Sequence, residues 1–127
     1  MDLISRIAMV AAGGAIGALA RYAISASRLG SLTDKFPAPT FVANIVGSFL
    51  IGFLLILLSD RFEVSDNVRL LVFVGFLGAF TTFSTFELEI WTLIQKGSYA
   101  HSIFYLVSSV TAGFAALLLG VWLGRQV

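Results

Sequence analysis

One stretch of this chain places hydroxyl groups, glycines and phenylalanines inside a strongly apolar segment. It reads GFLGAFTTFSTFE, from Gly75 to Glu87, and its hydroxyl-bearing residues are Thr81, Thr82, Ser84 and Thr85. A backbone in lipid must satisfy its own hydrogen bonds, so this mixture predicts a helix that is broken near mid-membrane, where protein or water covers it. Interrupted membrane helices usually bind ions or polar solutes, so the chemistry expected here is the binding of an ion or a polar solute rather than lipid anchoring.

A second set of polar residues shares one face of another apolar segment. Thr40, Asn44 and Ser48 recur at steps of four, the spacing that stacks side chains on one face of a helix. A buried asparagine in lipid must be hydrogen-bonded, and one interpretation is an interhelical contact worth about 0.6–2 kcal/mol. The alternative is that this face lines a polar pathway, and the neighbouring polar stripes favour that alternative.

Aromatic rings offer a further contact for an anion. Phe83 and Phe86 lie about one helical turn apart, with Thr82 and Glu89 near the same face. Such a pair is commonly core packing, but the edge of a phenyl ring is positive, so rings turned edge-on could contact a small anion without trapping it. A further hydroxyl-bearing face, of a kind also common in ordinary helix packing, comprises Ser102, Tyr105, Ser109 and Gly113.

A basic side chain lies at the end of a small-residue face near the start of the chain. Gly13, Gly17 and Arg21 recur at steps of four. Glycines at this spacing allow close helix packing, and the arginine could simply extend its charged group towards the membrane surface. Alternatively, Arg21 attracts anions electrostatically in a vestibule.

Composition identifies the class of protein that must position these groups. Of the 127 residues, 58% are hydrophobic and 12% are charged, and the mean hydropathy of +0.97 is typical of an integral membrane protein. Each crossing takes about 20 residues, so the length predicts one transmembrane domain over 1–127, with no soluble domain. The absence of cysteine excludes thiol chemistry, and one histidine, His101, cannot form a metal cluster.

Four apolar segments predict an all-α membrane fold with four transmembrane helices. Their expected bounds are Leu3 to Ser25, Pro37 to Ser59, Val68 to Gln95 and Ser98 to Leu123. We interpret the first segment as a structural helix rather than a cleaved signal, because it contains Arg21 and glycines at packing spacing.

The basic residues are divided almost equally between the two ends of such a bundle. Four crossings place one group of four, Arg6, Arg61, Arg69 and Arg125, opposite a group of three, Arg28, Lys35 and Lys96. This distribution gives almost no preferred orientation, so both orientations could occur and an antiparallel homodimer is the natural assembly. Four closely packed helices leave no lumen, so transport would require polar faces that meet at a subunit interface.

Three motifs, in order, resemble a known family. They are GGAIGALARY at 13–22, TFVANIVGSFLIG at 40–52 and GFLGAFTTFSTFELE at 75–89, and they are similar to the Fluc fluoride channels, also called the CrcB family. The resemblance implies a dual-topology antiparallel homodimer with two fluoride pathways along its interface and a structural sodium ion (Na+) at its centre. It also implies passive fluoride export and fluoride resistance, in the inner (plasma) membrane of the cell.

The resemblance also implies roles for individual residues. Phe83 and Phe86 match the pathway phenylalanines of the family, and Asn44 matches its pore asparagine. Thr40, Ser84, Thr85 and Glu89 match the polar track of the family, and Tyr105 and Ser109 match fourth-helix positions beside the pathway. Gly78 and Thr81 match the positions whose backbone carbonyls hold the sodium ion. One position that can be serine in relatives is Gly113 here.

Two other functions compete with this interpretation. A small dual-topology multidrug transporter has a similar size, but it depends on an acidic residue within its first helix, where this chain has Arg21 and no acid after Asp2. A structural accessory subunit would use the same glycines and hydroxyls only for packing. An enzyme is not expected, since no paired carboxylates or nucleophile–base pair is evident, and a net charge of +1 gives no basis for nucleic-acid binding.

Overall fold

The first two helices begin where the sequence provides a cap or a proline. The computed structural model describes residues 2–32 and 34–127. Helix α1 spans Leu3–Ser25 and is capped by Asp2, whose side chain accepts the Ser5 N–H at 3.0 Å. After a 3₁₀ turn at Arg28–Ser31, helix α2 spans Ala38–Ile56 and continues with π-type hydrogen bonding over Leu57–Arg61. Pro37 and Pro39 stand at its start, where a missing N–H costs least.

In the third apolar segment one helix ends at Phe80 and the next begins at Ser84. Helix α3, residues 66–80, comprises Asp66–Arg69, a π-helical stretch Leu70–Leu77 and a last turn Gly78–Phe80. Thr81 then adopts an extended backbone, with φ −89° and ψ 158°. Helix α4 spans Ser84–Gln95, and α5 spans Tyr99–Gln126 after a turn at Gly97, whose φ is +72°.

Four helical spans are long and apolar enough to cross a membrane. They are Leu3–Ser31, Ala38–Arg61, Asp66–Gln95 and Tyr99–Gln126. This result confirms the prediction of an all-α fold with four membrane segments. Large apolar side chains are exposed along the spans, including Ile16, Leu55 and Phe114, as expected for helices whose outer faces contact lipid tails.

Glycines bring the helices together in two pairs, α1 with α3 and α2 with α5. A Cβ atom at Gly13 would overlap the Leu71 carbonyl oxygen, and one at Gly17 would overlap the Phe76 carbonyl oxygen. Gly52 and Gly120 allow the same approach between α2 and α5. Packing at small residues is the usual basis of helix association in lipid, and the predicted packing face of α1 therefore lies against α3.

Three of the four basic residues expected at one end of the bundle do lie together there. Arg61 donates to the carbonyl oxygen of Arg125 at 2.8 Å, and Arg69 hydrogen-bonds the hydroxyl of Ser59. These contacts join the end of α2 to the end of α5 and to the start of α3. The two hydrogen bonds agree with helices that cross the membrane in alternating directions, as four successive crossings require.

Candidate functional site

An open groove of about 480 Å³ lies where α2 faces the interruption between α3 and α4. Its lining combines apolar side chains with an amide and several hydroxyls. The lining residues are Asn44, Gly47, Ser48, Ile51, Phe73, Leu77, Gly78, Thr81, Thr82 and Phe83. The structure therefore brings predicted residues from both polar segments, Asn44 on one side and Gly78, Thr81 and Phe83 on the other, to one surface.

The Asn44 side chain pairs with the backbone of the interruption. Its Nδ2 donates to the Thr82 carbonyl oxygen at 2.9 Å, and its Oδ1 accepts the Thr82 N–H at 2.8 Å. The carboxamide thus replaces both helical hydrogen bonds of one residue, which a backbone in lipid cannot leave unmade. A carboxamide carries two N–H bonds, so one N–H of Asn44 is left for another acceptor.

Thr82 supports the interruption with its own side chain. Its Oγ1 accepts the Thr85 N–H at 3.3 Å, in the first turn of α4. Sequence reasoning assigned no specific role to Thr82, because nothing distinguishes it there from the adjacent hydroxyl residues. Thr81 differs, since its own hydroxyl donates back to the Leu77 carbonyl oxygen at 3.0 Å.

The Glu89 carboxylate accepts hydrogen bonds from two of the predicted hydroxyl residues. Its Oε1 accepts from the Thr40 hydroxyl and its Oε2 accepts from the Tyr105 hydroxyl, each at 2.7 Å. Tyr105 is fully buried, at 0% exposure. Both hydroxyl hydrogens are therefore directed at the carboxylate, which fixes α2, α4 and α5 relative to one another. A groove of about 240 Å³ reaches Glu89 from the end of the bundle that carries Lys96.

The two candidate phenylalanines differ sharply in exposure. Phe83 is 71% exposed, whereas Phe86 is 5% exposed and packs edge-to-face on Tyr105 with ring centroids 5.0 Å apart. The centroids of Phe83 and Phe86 are 6.0 Å apart. Phe83 lines the Asn44 groove and also a second groove of about 510 Å³, whose lining includes Phe86, Trp91 and Leu106. Phe83 is thus the residue common to the two grooves.

The remaining predicted residues lie on α1, α4 and α5. Ser84 and Thr85 begin α4, the former exposed and the latter half-buried. Ser109 on α5 has a buried hydroxyl oxygen with no hydrogen-bond partner among the described residues. Arg21 is half-buried near the end of α1 and does not line the grooves described above.

Carboxylate, imidazole and thiol groups do not gather into a metal site in the described part of the chain. No group of three or more His, Cys, Asp or Glu residues lies close enough there to hold an ion. A hard cation bound near the interruption would therefore have backbone and hydroxyl oxygens as its ligands, and residues 81–83 contain both kinds of oxygen.

Comparison with known proteins gives consistent matches over nearly the whole chain. A sequence model described as "CrcB-like protein, Camphor Resistance (CrcB)" matches residues 8–121. A protein of Magnetococcus marinus is 45% identical over 96% of this chain and 99% of its own length. One from Agrobacterium fabrum is 42% identical over 95% and 97%, and one from Roseiflexus sp. is 43% identical over 94% and 96%. Each of the three is named a fluoride-specific ion channel, FluC.

Proposed function

This chain belongs to the CrcB family, and from that membership we propose that it is a fluoride-selective ion channel that exports fluoride passively and gives resistance to fluoride toxicity. The observation that carries the proposal is the match, at 42–45% identity over nearly full length, to proteins named fluoride-specific channels. With its four apolar helices, the chain is a multi-pass membrane protein. We place it in the inner (plasma) membrane and assign it no enzymatic activity.

The proposed assembly is an antiparallel dual-topology homodimer. The Asn44 groove is open, and its lining includes the amide of Asn44 and the hydroxyl-bearing residues Ser48, Thr81 and Thr82, polar groups that lipid tails cannot satisfy. A second copy would cover this surface, and the nearly equal basic charge at the two ends allows that copy to insert inverted. Residues 81–83 lie at the centre of the span Asp66–Gln95, which supports a break near mid-membrane.

Fluoride is a compact, strongly hydrated anion, so each lost water must be replaced by a donor along the path. The remaining N–H of Asn44, the hydroxyl of Ser109 and the ring edges of Phe83 and Phe86 are available for this purpose. Ser84 and Thr85 add hydroxyls at the start of α4. Glu89 orients the Thr40 and Tyr105 hydroxyls beside the path, and Arg21 raises the local anion concentration in a vestibule.

The sodium ion implied by the family fits the donor groups of this chain. In a continuous helix the carbonyl oxygens of Gly78 and Thr81 would accept from the N–H groups four residues later. Here the Thr82 N–H donates to Asn44 and the Thr85 N–H donates to Thr82 Oγ1. Both carbonyl oxygens lose those donors and belong to residues that line an open groove, an arrangement suited to a hard cation. A bound sodium ion would offset their partial negative charge at the subunit interface.

Fluoride efflux from liposomes tests the function. Purified protein is reconstituted in vesicles loaded with potassium fluoride, valinomycin supplies potassium permeability, and a fluoride electrode records release, with chloride as the comparison ion. We expect rapid fluoride release with little chloride release. If folded dimers release no fluoride, the channel proposal is wrong, and an accessory subunit or a cation transporter becomes the better interpretation.

Replacing Phe83 by isoleucine is expected to slow fluoride efflux roughly tenfold without dissociating the dimer, because it removes a positive ring edge from the path. The matched control is Phe114→Ile, at a phenylalanine that is 63% exposed on α5 and lines neither Phe83 groove. Efflux at the wild-type rate from folded Phe83→Ile dimers would remove Phe83 from the pathway.

A further inference from the structure

We infer that the side chains of Asn44 and Thr82 are positioning residues for the cation site, because they keep the carbonyl oxygens of Gly78 and Thr81 free of helical hydrogen bonds. The inference rests on the sodium site of the proposed function and assigns that site two side chains that need not touch the ion. One of them, Asn44, also faces the proposed fluoride path.

Asn44 determines where the Thr82 amide is directed. The Thr82 N–H donates to Asn44 Oδ1 at 2.8 Å, and the Thr82 carbonyl accepts from Asn44 Nδ2 at 2.9 Å. Without the carboxamide, both groups would be left unpaired in a place that water reaches only through the groove. In a continuous helix the Thr82 N–H would donate to the Gly78 carbonyl oxygen, and forming that hydrogen bond would pair the amide again and extend α3. That change would occupy one of the two proposed sodium ligands.

The Thr82 side chain keeps the Thr81 carbonyl oxygen free of its helical hydrogen bond in the same way. Its Oγ1 accepts the Thr85 N–H at 3.3 Å, which is the amide that a continuous helix would direct to the Thr81 carbonyl. The Thr81 hydroxyl donates its hydrogen to Leu77 O at 3.0 Å and therefore does not hydrogen-bond the Thr81 carbonyl oxygen. The two acceptors, Asn44 Oδ1 and Thr82 Oγ1, therefore divert the two amides that a continuous helix would direct to the Gly78 and Thr81 carbonyl oxygens.

The packing of α2 explains how Asn44 reaches this backbone. Gly47, one turn after Asn44, lies so close to Thr81 that an added Cβ atom would overlap the Thr81 methyl group. The approach of α2 at Gly47 places the carboxamide against the unwound residues. The same geometry leaves the second N–H of Asn44 for fluoride, so one side chain serves both ions, whereas Thr82 serves only the cation site.

A sodium titration of purified protein separates these roles. Sodium is exchanged for N-methyl-D-glucamine in detergent, sodium chloride is returned at constant ionic strength, and the thermal unfolding midpoint gives the half-saturating sodium concentration. The test variants are Asn44→Ala and Thr82→Val. The controls are Thr82→Ser, which keeps the acceptor oxygen, and Ser48→Ala, one turn from Asn44 on the same groove but with no bond to the interruption.

We expect both test variants to raise the half-saturating sodium concentration about tenfold or more, the equivalent of one net hydrogen bond, and both controls to match wild type. Unchanged sodium response in folded Thr82→Val would overturn the inference, as would an equal shift in Ser48→Ala. The comparison of Thr82→Val, which is isosteric with wild type, and Thr82→Ser decides the matter if Asn44→Ala does not fold. Wild type that releases fluoride but shows no sodium response would refute the cation site alone, whereas absent fluoride release would refute the channel function.

Discussion

Replacing Asn44 by aspartate is expected to reduce fluoride efflux roughly 100-fold or more. The carboxylate would stand in the groove where the remaining amide N–H faces the proposed fluoride path, and two like charges about 4 Å apart repel by about 4 kcal/mol near a protein surface. Aspartate still accepts the Thr82 N–H, but it sets an oxygen rather than a donor against the Thr82 carbonyl. Liposome efflux measures the loss of conduction, and the elution volume on size-exclusion chromatography measures whether the proposed dimer stays intact.

Asn67 offers a matched control for this substitution. It is the other asparagine of the chain, and it lies in the first turn of α3, outside the lining of the Asn44 groove. The Asn67 Oδ1 is buried without a hydrogen-bond partner among the described residues, so the new charge has a desolvation cost, but a negative charge at a helix N-terminus is favourable; folded Asn67→Asp should therefore conduct fluoride as wild type does. If Asn44→Asp conducts as well as Asn67→Asp, the path does not pass Asn44.

Replacing Gly13 by alanine is expected to lower the free energy of unfolding by about 3 kcal/mol, although it adds only one methyl group. The new Cβ atom would overlap the Leu71 carbonyl oxygen and lie 2.9 Å from the Phe76 nitrogen. Both are backbone atoms, so no side chain can rotate away, and α1 must separate from α3. Thermal unfolding in detergent, followed by circular dichroism, measures the loss.

Replacing the neighbouring Gly14 by alanine is not expected to destabilise the fold. A Cβ atom at Gly14 would meet only the Gly75 carbonyl oxygen, at an ordinary 4.0 Å. Alanine also favours a helix more than glycine does, so Gly14→Ala should unfold at or slightly above the wild-type temperature. Equal destabilisation by the two substitutions would contradict the close α1–α3 contact at Gly13.

Some features of the site followed from the sequence and others did not. Hydroxyls and glycines in the third segment predicted an interruption, yet Gly75 is helical and packs against α1, and only residues 81–83 leave the helix. The spacing of Phe83 and Phe86 predicts one shared face, but Phe83 is largely exposed and Phe86 is buried against Tyr105. Spacing identifies a face of a helix, and the neighbour of that face decides exposure.

By itself, the sequence determined the four membrane helices and the faces that pack, because lipid requires about 20 apolar residues per crossing, internally paired backbones and small residues at close contacts. Only the tertiary structure decided which polar groups meet. Thr40 and Glu89 are 49 residues apart, and Asn44 and Thr82 are 38 apart. Such pairs depend on how closely and at what register the helices approach, and helical periodicity contains no information about the register between helices.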